Sequence, residues 1–332
     1  MATLEIANPT LLDLARMKDP DGKIADIIEL LNQTNEILDD MSWIEGNLET
    51  GHRTTVRTGL PKPTWRMLYG GVQPTHSTTA QIQESTGMLE AYAEVDKALA
   101  DLNGNTAAFR LQEDRAHLEG MNQEVASALF YGNADKEPQK FTGFAPRFND
   151  LSAENADNII DAGGTGTANT SIWLVVWGPQ TAFGLVPKNS KAGFQAKDLG
   201  EVTIENVDGN GGRMQAYRTH YRWDVGLCVR DWRYVVRIAN IDKTTLTKDA
   251  SAGADLIDLM TQALEIPPNL SLGRPVFYMN RSLRTMLRRQ IVSKVAPSTL
   301  TMDEVAGRRV VAFDGVPVRR VDALAVDEAQ VI

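Results

Sequence analysis

The longest regular pattern of apolar residues predicts one amphipathic helix over residues 105–131. Its apolar side chains recur three, four and seven residues apart, which places them on one helical face. They are Leu111, Leu118, Met121, Val125, Ala128 and Leu129. At about 1.5 Å per residue the helix would span roughly 40 Å. We interpret it as a spine on which sheets are laid, although an ordinary long core helix would show the same periodicity.

A second pattern alternates with period two and predicts strands. Every second residue over 221–229 is apolar, which is typical of a long half-buried strand. Residues 172–177 are apolar on both faces and predict a buried strand. An Asp-Gly pair at 314–315 predicts a hairpin over 308–321. Further helices are predicted over residues 21–41, 250–265 and 281–291. Together these elements indicate an α+β fold.

Residues 43–92 follow neither pattern. The stretch is rich in Thr, Gly and Pro and has too few large apolar residues for a core of its own. Trp65 and Tyr69 argue against simple disorder, because disordered segments are poor in aromatic residues. We predict an extended hairpin that packs on a neighbouring copy of the chain. Disorder in the free monomer stays open as the alternative.

Composition places the chain among globular proteins. It has 332 residues, 42% hydrophobic and 23% charged. It contains no apolar run long enough for a membrane span, and its first residues lack the features of a signal peptide, so we expect no membrane partner. Cys228 is the single cysteine, which fits a reducing cytoplasm. Its alternating apolar surroundings predict a buried side chain and no reactive thiol.

Charge is distributed unevenly along the chain. The net charge is −9, whereas a protein that grips nucleic acid with its whole surface is usually basic. Residues 1–50 carry eleven acidic and three basic residues, and residues 51–83 carry four basic residues and no acid. Residues 274–320 carry ten basic residues against three acids. Opposite charges of this kind can pair within one molecule or between copies, or remain solvated.

The predicted helix at 281–291 presents Arg281, Arg284, Arg288 and Arg289 on its outer face. We favour pairing with acidic residues of a neighbouring copy over a solvated face. Contact with nucleic acid ranks last, because the helix lacks the aromatic residues of a single-strand platform.

Motifs for catalysis or metal binding are incomplete. The glycine-rich residues 163–167 precede a predicted strand and lack a Walker lysine, so we interpret them as a turn. Residues 206–212 resemble the start of an EF-hand loop, but Tyr217 stands where the loop needs a bidentate Glu. The pairs Asp39-Asp40 and Asp303-Glu304 are adjacent, so on a helix their side chains point apart.

The four histidines are scattered and form neither a zinc motif nor a catalytic triad. They are His52, His76, His117 and His220. We therefore predict no catalytic, cofactor-binding or metal-binding residue, no cofactor and no enzymatic activity.

Several stretches together resemble a known family, the major capsid protein of tailed double-stranded-DNA bacteriophages, in its short-tailed branch. In chain order these stretches are GLPKPTWRMLYGGV (59–72), FTGFAPRFND (141–150), TSIWLVVWG (170–178), AFGLVPKNSKAGF (182–194), WDVGLCVRDWRYVVRIANID (223–242), FYMNR (277–281) and FDGVPVRRVDAL (313–324). The resemblance covers nearly the whole chain.

This resemblance implies a shell protein whose copies form the pentamers and hexamers of an icosahedral capsid around double-stranded DNA. It implies a virion protein assembled in the bacterial cytoplasm, with non-specific DNA contact. Portal and cement proteins are further expected partners. The implied domains are an N-terminal arm with a helix (1–42), an extended hairpin loop (43–92), a peripheral domain with the spine helix and long strands (93–245), and an α/β axial domain (246–332).

The sequence departs from the family pattern in two ways. The long strands precede the FYMNR and FDGVPV stretches, so we expect a rearranged, permuted connectivity. The chain reaches its first predicted helix by residue 21, which leads to the hypothesis of a separate scaffolding protein.

Two other functions remain open at this level. A bacterial nanocompartment shell has the same fold, and its cargo enzyme would distinguish it from a capsid. An oligomeric α+β enzyme would instead need a deep pocket with convergent polar groups.

Overall fold

The computed structural model describes residue 33 and residues 35–102, 106–190, 194–205, 211–293, 300–305 and 308–332, with backbone alone for 300–305 and 308–310. The helix predicted from residue 21 and most of the 1–42 arm lie outside these residues, apart from the segment that begins at Asn35. Most of the turn at 206–212 and the side chains of Asp303 and Glu304 also lie outside them.

The described helices are α1 (Ile37–Asp40), α2 (Lys97–Asp101), α3 (Thr106–Tyr131), α4 (Leu256–Glu265) and α5 (Arg281–Ser293). The strands are β1 (Trp43–Glu45), β2 (Gly51–Gly59), β3 (Thr78–Asp96), β4 (Ile159–Asp161), β5 (Asn169–Trp177), β6 (Ala182–Val186), β7 (Phe194–Glu205), β8 (Arg213–Val229), β9 (Val235–Asp242), β10 (Arg274–Met279), β11 (Leu300–Val305), β12 (Arg308–Phe313) and β13 (Val316–Arg320). The mixture confirms the predicted α+β class.

The predicted spine helix is present as α3, but its buried residues differ from the predicted stripe. Leu111 is 54% exposed and Leu118 is 39% exposed, whereas Phe109 is buried. Burial becomes continuous only near the C-terminal end, which includes Leu129 and Phe130. Periodicity identified the helix correctly, but it could not show which turns of the helix face the larger core.

Contacts divide the chain into two compact units. Among the described residues, the first unit comprises 88–102, 106–125, 194–205 and 211–224. The second comprises 35–87, 126–190, 225–293, 300–305 and 308–332. The boundaries of these units do not coincide with the bounds 93–245 and 246–332 expected for a peripheral and an axial domain, because residues 126–190 and 225–245 group with the described residues after 245.

Strand pairing explains this difference. In the second unit β5 pairs antiparallel with both β9 and β10, and β10 pairs in parallel with β13. Hydrogen bonds therefore connect residues on both sides of position 245 in one sheet. The long strands β7 and β8 do precede α4, β10 and α5, as expected. However, β4, β5 and β6 of the second unit precede them too, so the second unit is not one contiguous piece of the chain.

The first unit contains the antiparallel pair β7–β8, which runs from Phe194↔Trp223 to Glu205↔Arg213. The period-two pattern at 221–229 thus belongs to a longer strand than predicted. Two small apolar clusters form the core of this unit. One contains Val95, Leu99, Ala100 and Phe109, and the other contains Ala93, Met121 and Tyr221.

The core of the second unit lies on both faces of β5, whose nine residues are all buried, as predicted for 172–177. Ile172 and Leu174 on one face join a cluster that includes Met260 of α4 and Leu287 of α5. On the other face Trp173 contacts the rings of Phe130, Phe144 and Phe148.

Two local predictions in the second unit have clear outcomes. The Asp-Gly hairpin is present between β12 and β13, with φ of 49° at Asp314 and 76° at Gly315. Helix α4 begins at Leu256 and not at residue 250, because Asp255 caps its first turn.

Candidate self-assembly interface

The hairpin formed by β2 and β3 ends in a long exposed tip. The strands pair from Gly51↔Ser85 to Gly59↔Thr78, and residues 60–77 between them contain neither helix nor strand. We call residues 60–77 the hairpin tip. Its large apolar side chains are Leu60 (75% exposed), Trp65 (104%), Met67 (83%), Leu68 (86%), Tyr69 (101%) and Val72 (55%).

Such exposure is typical of a binding surface. Single exposed apolar residues are common, but a run of them that includes a fully exposed Trp and Tyr marks an interaction site. The cations Lys62 and Arg66 in the tip, together with Arg53 and Arg57 on β2, are also exposed. The tip therefore offers apolar area and positive charge, and within the second unit it has no core of its own.

The base of the hairpin is fixed tightly, in contrast to its tip. Glu84 on β3 is buried and accepts hydrogen bonds of 2.6 Å from both terminal nitrogens of Arg147. Arg147 also donates to the carbonyl oxygens of Gly143 and Thr142. A Cβ on Gly51 would lie 2.0 Å from the carbonyl oxygen of Glu84, so only glycine fits there. The base thus holds the direction of the hairpin.

The acidic turn α1 pairs with the basic end of the same chain. The buried carboxylate of Asp40 contacts Arg274 at 2.8 Å and Arg319 at 3.1 Å, and it accepts a hydrogen bond from Tyr278 at 3.3 Å. Burial raises the pKa of Asp40, and the two guanidinium groups partly offset this shift. The separated charges of the sequence therefore pair here within one molecule, an alternative that the sequence left open.

A second buried ion pair fixes the C-terminal segment. Glu328 contacts Arg237 at 2.8 Å, with both side chains about 95% buried, and Glu328 also binds the hydroxyls of Ser171 and Tyr131. Asn240 exchanges two hydrogen bonds with the backbone of Val331. The importance of Glu328 and Arg237 was not predictable from the sequence, because residues 91 positions apart leave no local pattern that shows their pairing.

His52, His220 and Cys228 each have their own surroundings within their unit. In the second unit His52 packs its ring edge against Phe183, and its pKa is lowered by burial. In the first unit His220 stacks on Tyr92 and contacts Glu90 at 3.3 Å. Cys228 is buried, as predicted, and burial raises its pKa to about 12.

His76 is exposed in the hairpin tip, His117 is partly buried on α3, and residues 163–167 contain neither helix nor strand. Among the residues that the structure describes, no group of three or more His, Cys, Asp or Glu could hold a metal ion. None of the described helices is both long and apolar enough to cross a membrane.

Comparison with known proteins decides the family. The family model described as "Major capsid protein GP7" matches residues 19–332. The chain belongs to the GP7 major capsid protein family. It is therefore a structural protein of a phage virion and not an enzyme.

Solved structures agree with this assignment. The chain is similar to a chain in the structure of bacteriophage Epsilon15, a short-tailed phage, with 41% sequence identity and a TM-score of 0.79. That match covers 100% of this chain and 99% of the other. The predicted capsid fold and its short-tailed branch are confirmed.

More distant similarities have TM-scores below 0.5. The bacteriophage JBD30 capsid matches with 11% identity and a TM-score of 0.48, over 88% of this chain and 91% of that one. The SrpI encapsulin complex from Synechococcus elongatus matches with 11% identity and a TM-score of 0.42, over 71% of this chain and 96% of that one. No curated protein matches the sequence.

Proposed function

We propose that this capsid protein assembles into the pentamers and hexamers of an icosahedral shell that encloses double-stranded DNA, and that the hairpin tip seats on a neighbouring copy. The observation that carries the proposal is the exposure of Trp65 and Tyr69, which are completely accessible on a tip that has no core of its own. Only a second surface can bury them, and repeated copies of one chain supply that surface.

The rigid base supports the same mechanism. A hairpin whose base is held by Glu84 and Arg147 presents its tip in a defined direction, which lowers the entropy lost on association. The basic residues of the tip favour an acidic region of the neighbour and help to set the register between copies.

The domain assignment is part of this proposal. We assign residues 1–42 to an N-terminal arm and residues 43–92 to the extended loop. The first unit, with most of α3 and the β7–β8 pair, fits a peripheral domain, and the sheet around β5 with α4 and α5 fits an axial domain. We also propose that this connectivity is a permutation of the family pattern.

Further partners follow from the same function. We propose a separate scaffolding protein, a portal and a cement protein, with assembly in the host cytoplasm. Expression of this chain alone should then yield irregular shells or free capsomers, and coexpression with a scaffolding protein should restore uniform shells. Uniform shells from this chain alone would contradict the need for a scaffold.

The test of the central proposal is a double substitution in the tip, Trp65→Ala with Tyr69→Ala. Burial of one large apolar side chain contributes about 1.5–3 kcal/mol, so losing two at each interface should raise the critical assembly concentration at least about a hundred-fold. Electron microscopy and sedimentation velocity would measure this concentration. Leu111→Ala on α3, also an exposed apolar residue, is the matched control. Unchanged assembly of the double variant would refute the proposal.

A further inference from the structure

The exposed face of α5 is unusually basic. Thr285, Arg288, Arg289 and Val292 lie three, four and seven residues apart and are all exposed, whereas Leu283 and Leu287 on the opposite face are buried. With Lys248 and Ser293 these four residues line an open hollow of about 560 Å³. We call these six residues the α5 pocket. Three of the six carry a positive charge.

A buried side chain builds this pocket. Gln290 is fully buried, accepts a hydrogen bond from the backbone of Leu256 and donates to the carbonyl oxygens of Thr247 and Ala254. It therefore attaches the loop between β9 and α4 to α5, at the residue next to Lys248. The amide of Gln290 is a positioning group, because it sets where Lys248 stands relative to the two arginines.

The loop that carries Lys248 is ordered by its own contacts. The hydroxyl of Thr247 donates to the carbonyl oxygen of Ala252 and accepts from its N–H. The neighbouring acid Asp249 accepts hydrogen bonds from the hydroxyl and the N–H of Ser251, which help to lower its pKa. The carboxylate of Asp249, the nearest to Lys248 in sequence, is therefore already hydrogen-bonded to Ser251.

Within the part of the chain that the structure describes, the positive charges of the pocket have no acidic partner. Among the described side chains, no carboxylate lies within 4.0 Å of the charged groups of Lys248, Arg288 or Arg289, while neighbouring arginines of the same basic segment are paired. Arg281 and Arg320 share Asp322, and Arg274 and Arg319 share Asp40. Arg284 has a lowered pKa, mainly because of burial and partly because of the charge of Arg288.

This distribution of charge indicates which ligand fits. Asp40 and Glu36 are already paired with Arg274 and Arg319. An acidic segment of a second copy is the competing ligand, and the experiment below tests it with poly-glutamate. Guanidinium groups bind phosphate oxygens in a bidentate manner, and an ammonium group adds a third contact. The pocket has no aromatic residue for base stacking, so it suits the outside of a duplex and not a single strand.

We propose that the α5 pocket binds the phosphodiester backbone of duplex DNA without reading its sequence, through Arg288, Arg289 and Lys248. This inference deepens the proposed function, since it rests on a shell that encloses DNA and names the residues of contact. From the sequence, nucleic acid ranked last for this helix because the helix lacks aromatic residues for base stacking. The structure adds that Arg281 is paired with Asp322 within the chain, which leaves Arg288 and Arg289 as the exposed arginines that face the pocket.

The experiment compares the full-length protein with the variant Arg288→Gln/Arg289→Gln. Fluorescence anisotropy would measure the affinity for a labelled duplex oligonucleotide across a series of salt concentrations. Because each phosphate contact contributes about 0.9 to the slope of log K against log salt, the slope should fall by about 2. We expect affinity at low salt to fall at least ten-fold, equally for all sequences tested. Lys248→Gln should lower the slope by about half as much.

Matched controls separate specific from general charge effects. Arg53→Gln/Arg57→Gln removes the same two charges from exposed positions on β2 and should leave affinity nearly unchanged. Gln290→Ala should weaken binding through the displaced Lys248. If Gln290→Ala fails to fold, Lys248→Gln alone tests the role of the loop.

The possible results discriminate between sources of the negative charge. Equal loss of affinity in the β2 control would overturn the site, and so would equally tight binding of poly-glutamate, which would indicate an acidic protein partner. Displacement of the duplex by millimolar inorganic phosphate would indicate a site for free phosphate and would also overturn the proposal. If the protein forms normal shells but Arg288→Gln/Arg289→Gln leaves the DNA affinity unchanged, the site is refuted and the proposed function stands. If the protein forms no shells but this variant still loses DNA affinity, the site stands and the proposed function is refuted.

Discussion

The guanidinium group of Arg147 holds the carboxylate of Glu84 by two parallel hydrogen bonds, each 2.6 Å long. These residues are 63 positions apart in the sequence, and together they connect the base of the β2–β3 hairpin to the segment that follows α3. Glu84 is nearly buried, so the pair is sheltered from the screening that weakens surface ion pairs.

Removal of one member of this pair should be costly. Arg147→Met leaves a buried carboxylate without its partner, and we expect the free energy of unfolding to fall by about 3 kcal/mol, the low end of the range for broken buried pairs, because Arg147 is partly exposed. Urea unfolding followed by circular dichroism measures this change. Lys97→Met, which removes an exposed pair with Glu201, is the control and should reduce stability far less, because solvent screens an exposed ion pair. Equal costs for the two variants would contradict the structure.

Stability at acid pH should report on Asp40. Its folded pKa lies above the ordinary value of 3.8 because of burial, so the folded state binds the proton more tightly than the unfolded state does. This contribution to stability is present below pH 3.8 and is lost as pH rises through the raised folded pKa. Relative to Asp40→Asn, the wild type should therefore gain stability as pH falls through this window. Parallel urea titrations of the two proteins would show it, and a difference that stays constant with pH would contradict it.

Two glycines give opposite expectations. A Cβ on Gly143 would lie 2.6 Å from the carbonyl oxygens of Ala128 and Leu129 at the end of α3, whereas a Cβ on Gly120 within α3 meets nothing within 4 Å. Gly120→Ala should stabilise the protein by about 0.5–1 kcal/mol, because alanine loses less backbone entropy in a helix. Gly143→Ala should destabilise it by about 1–3 kcal/mol through a displaced backbone.

Differential scanning calorimetry of these two variants provides the test. Since the two substitutions add the same methyl group, each serves as the control for the other. A lower melting temperature for Gly120→Ala would contradict the open space at the middle of α3, and an unchanged one for Gly143→Ala would contradict the close packing at its end.

The C-terminal segment should contribute strongly to stability through one residue. Glu328→Gln removes the charge that faces buried Arg237, and we expect a loss of about 3 kcal/mol in the free energy of unfolding. The adjacent residue Asp327 is exposed, so Asp327→Asn should change stability by less than about 0.5 kcal/mol. Thermal unfolding of both variants would compare these effects. Similar melting temperatures for the two would argue against the buried pair.

The sequence by itself determined the elements whose signals are local. The helix α3, the buried strand β5 and the Asp314-Gly315 turn were predictable, because helical periodicity, continuous apolar runs and turn chemistry act over a few neighbouring residues. The extended hairpin within residues 43–92 was predictable from composition, because this stretch has too few large apolar residues for a core of its own. Resemblance over the whole chain predicted the family.

Only the tertiary structure decided how these elements group and which charges meet. The grouping of residues 126–190 with 225–332 depends on strand pairs between distant segments, and no local pattern encodes such pairs. Arg237 and Glu328 are 91 residues apart, so their contact exists only after the sheet and the C-terminal segment have packed. The tertiary structure also decided that Arg281 pairs with Asp322, whereas Arg288 and Arg289 have no acidic partner among the described side chains, because an ion pair between distant segments has no local signal.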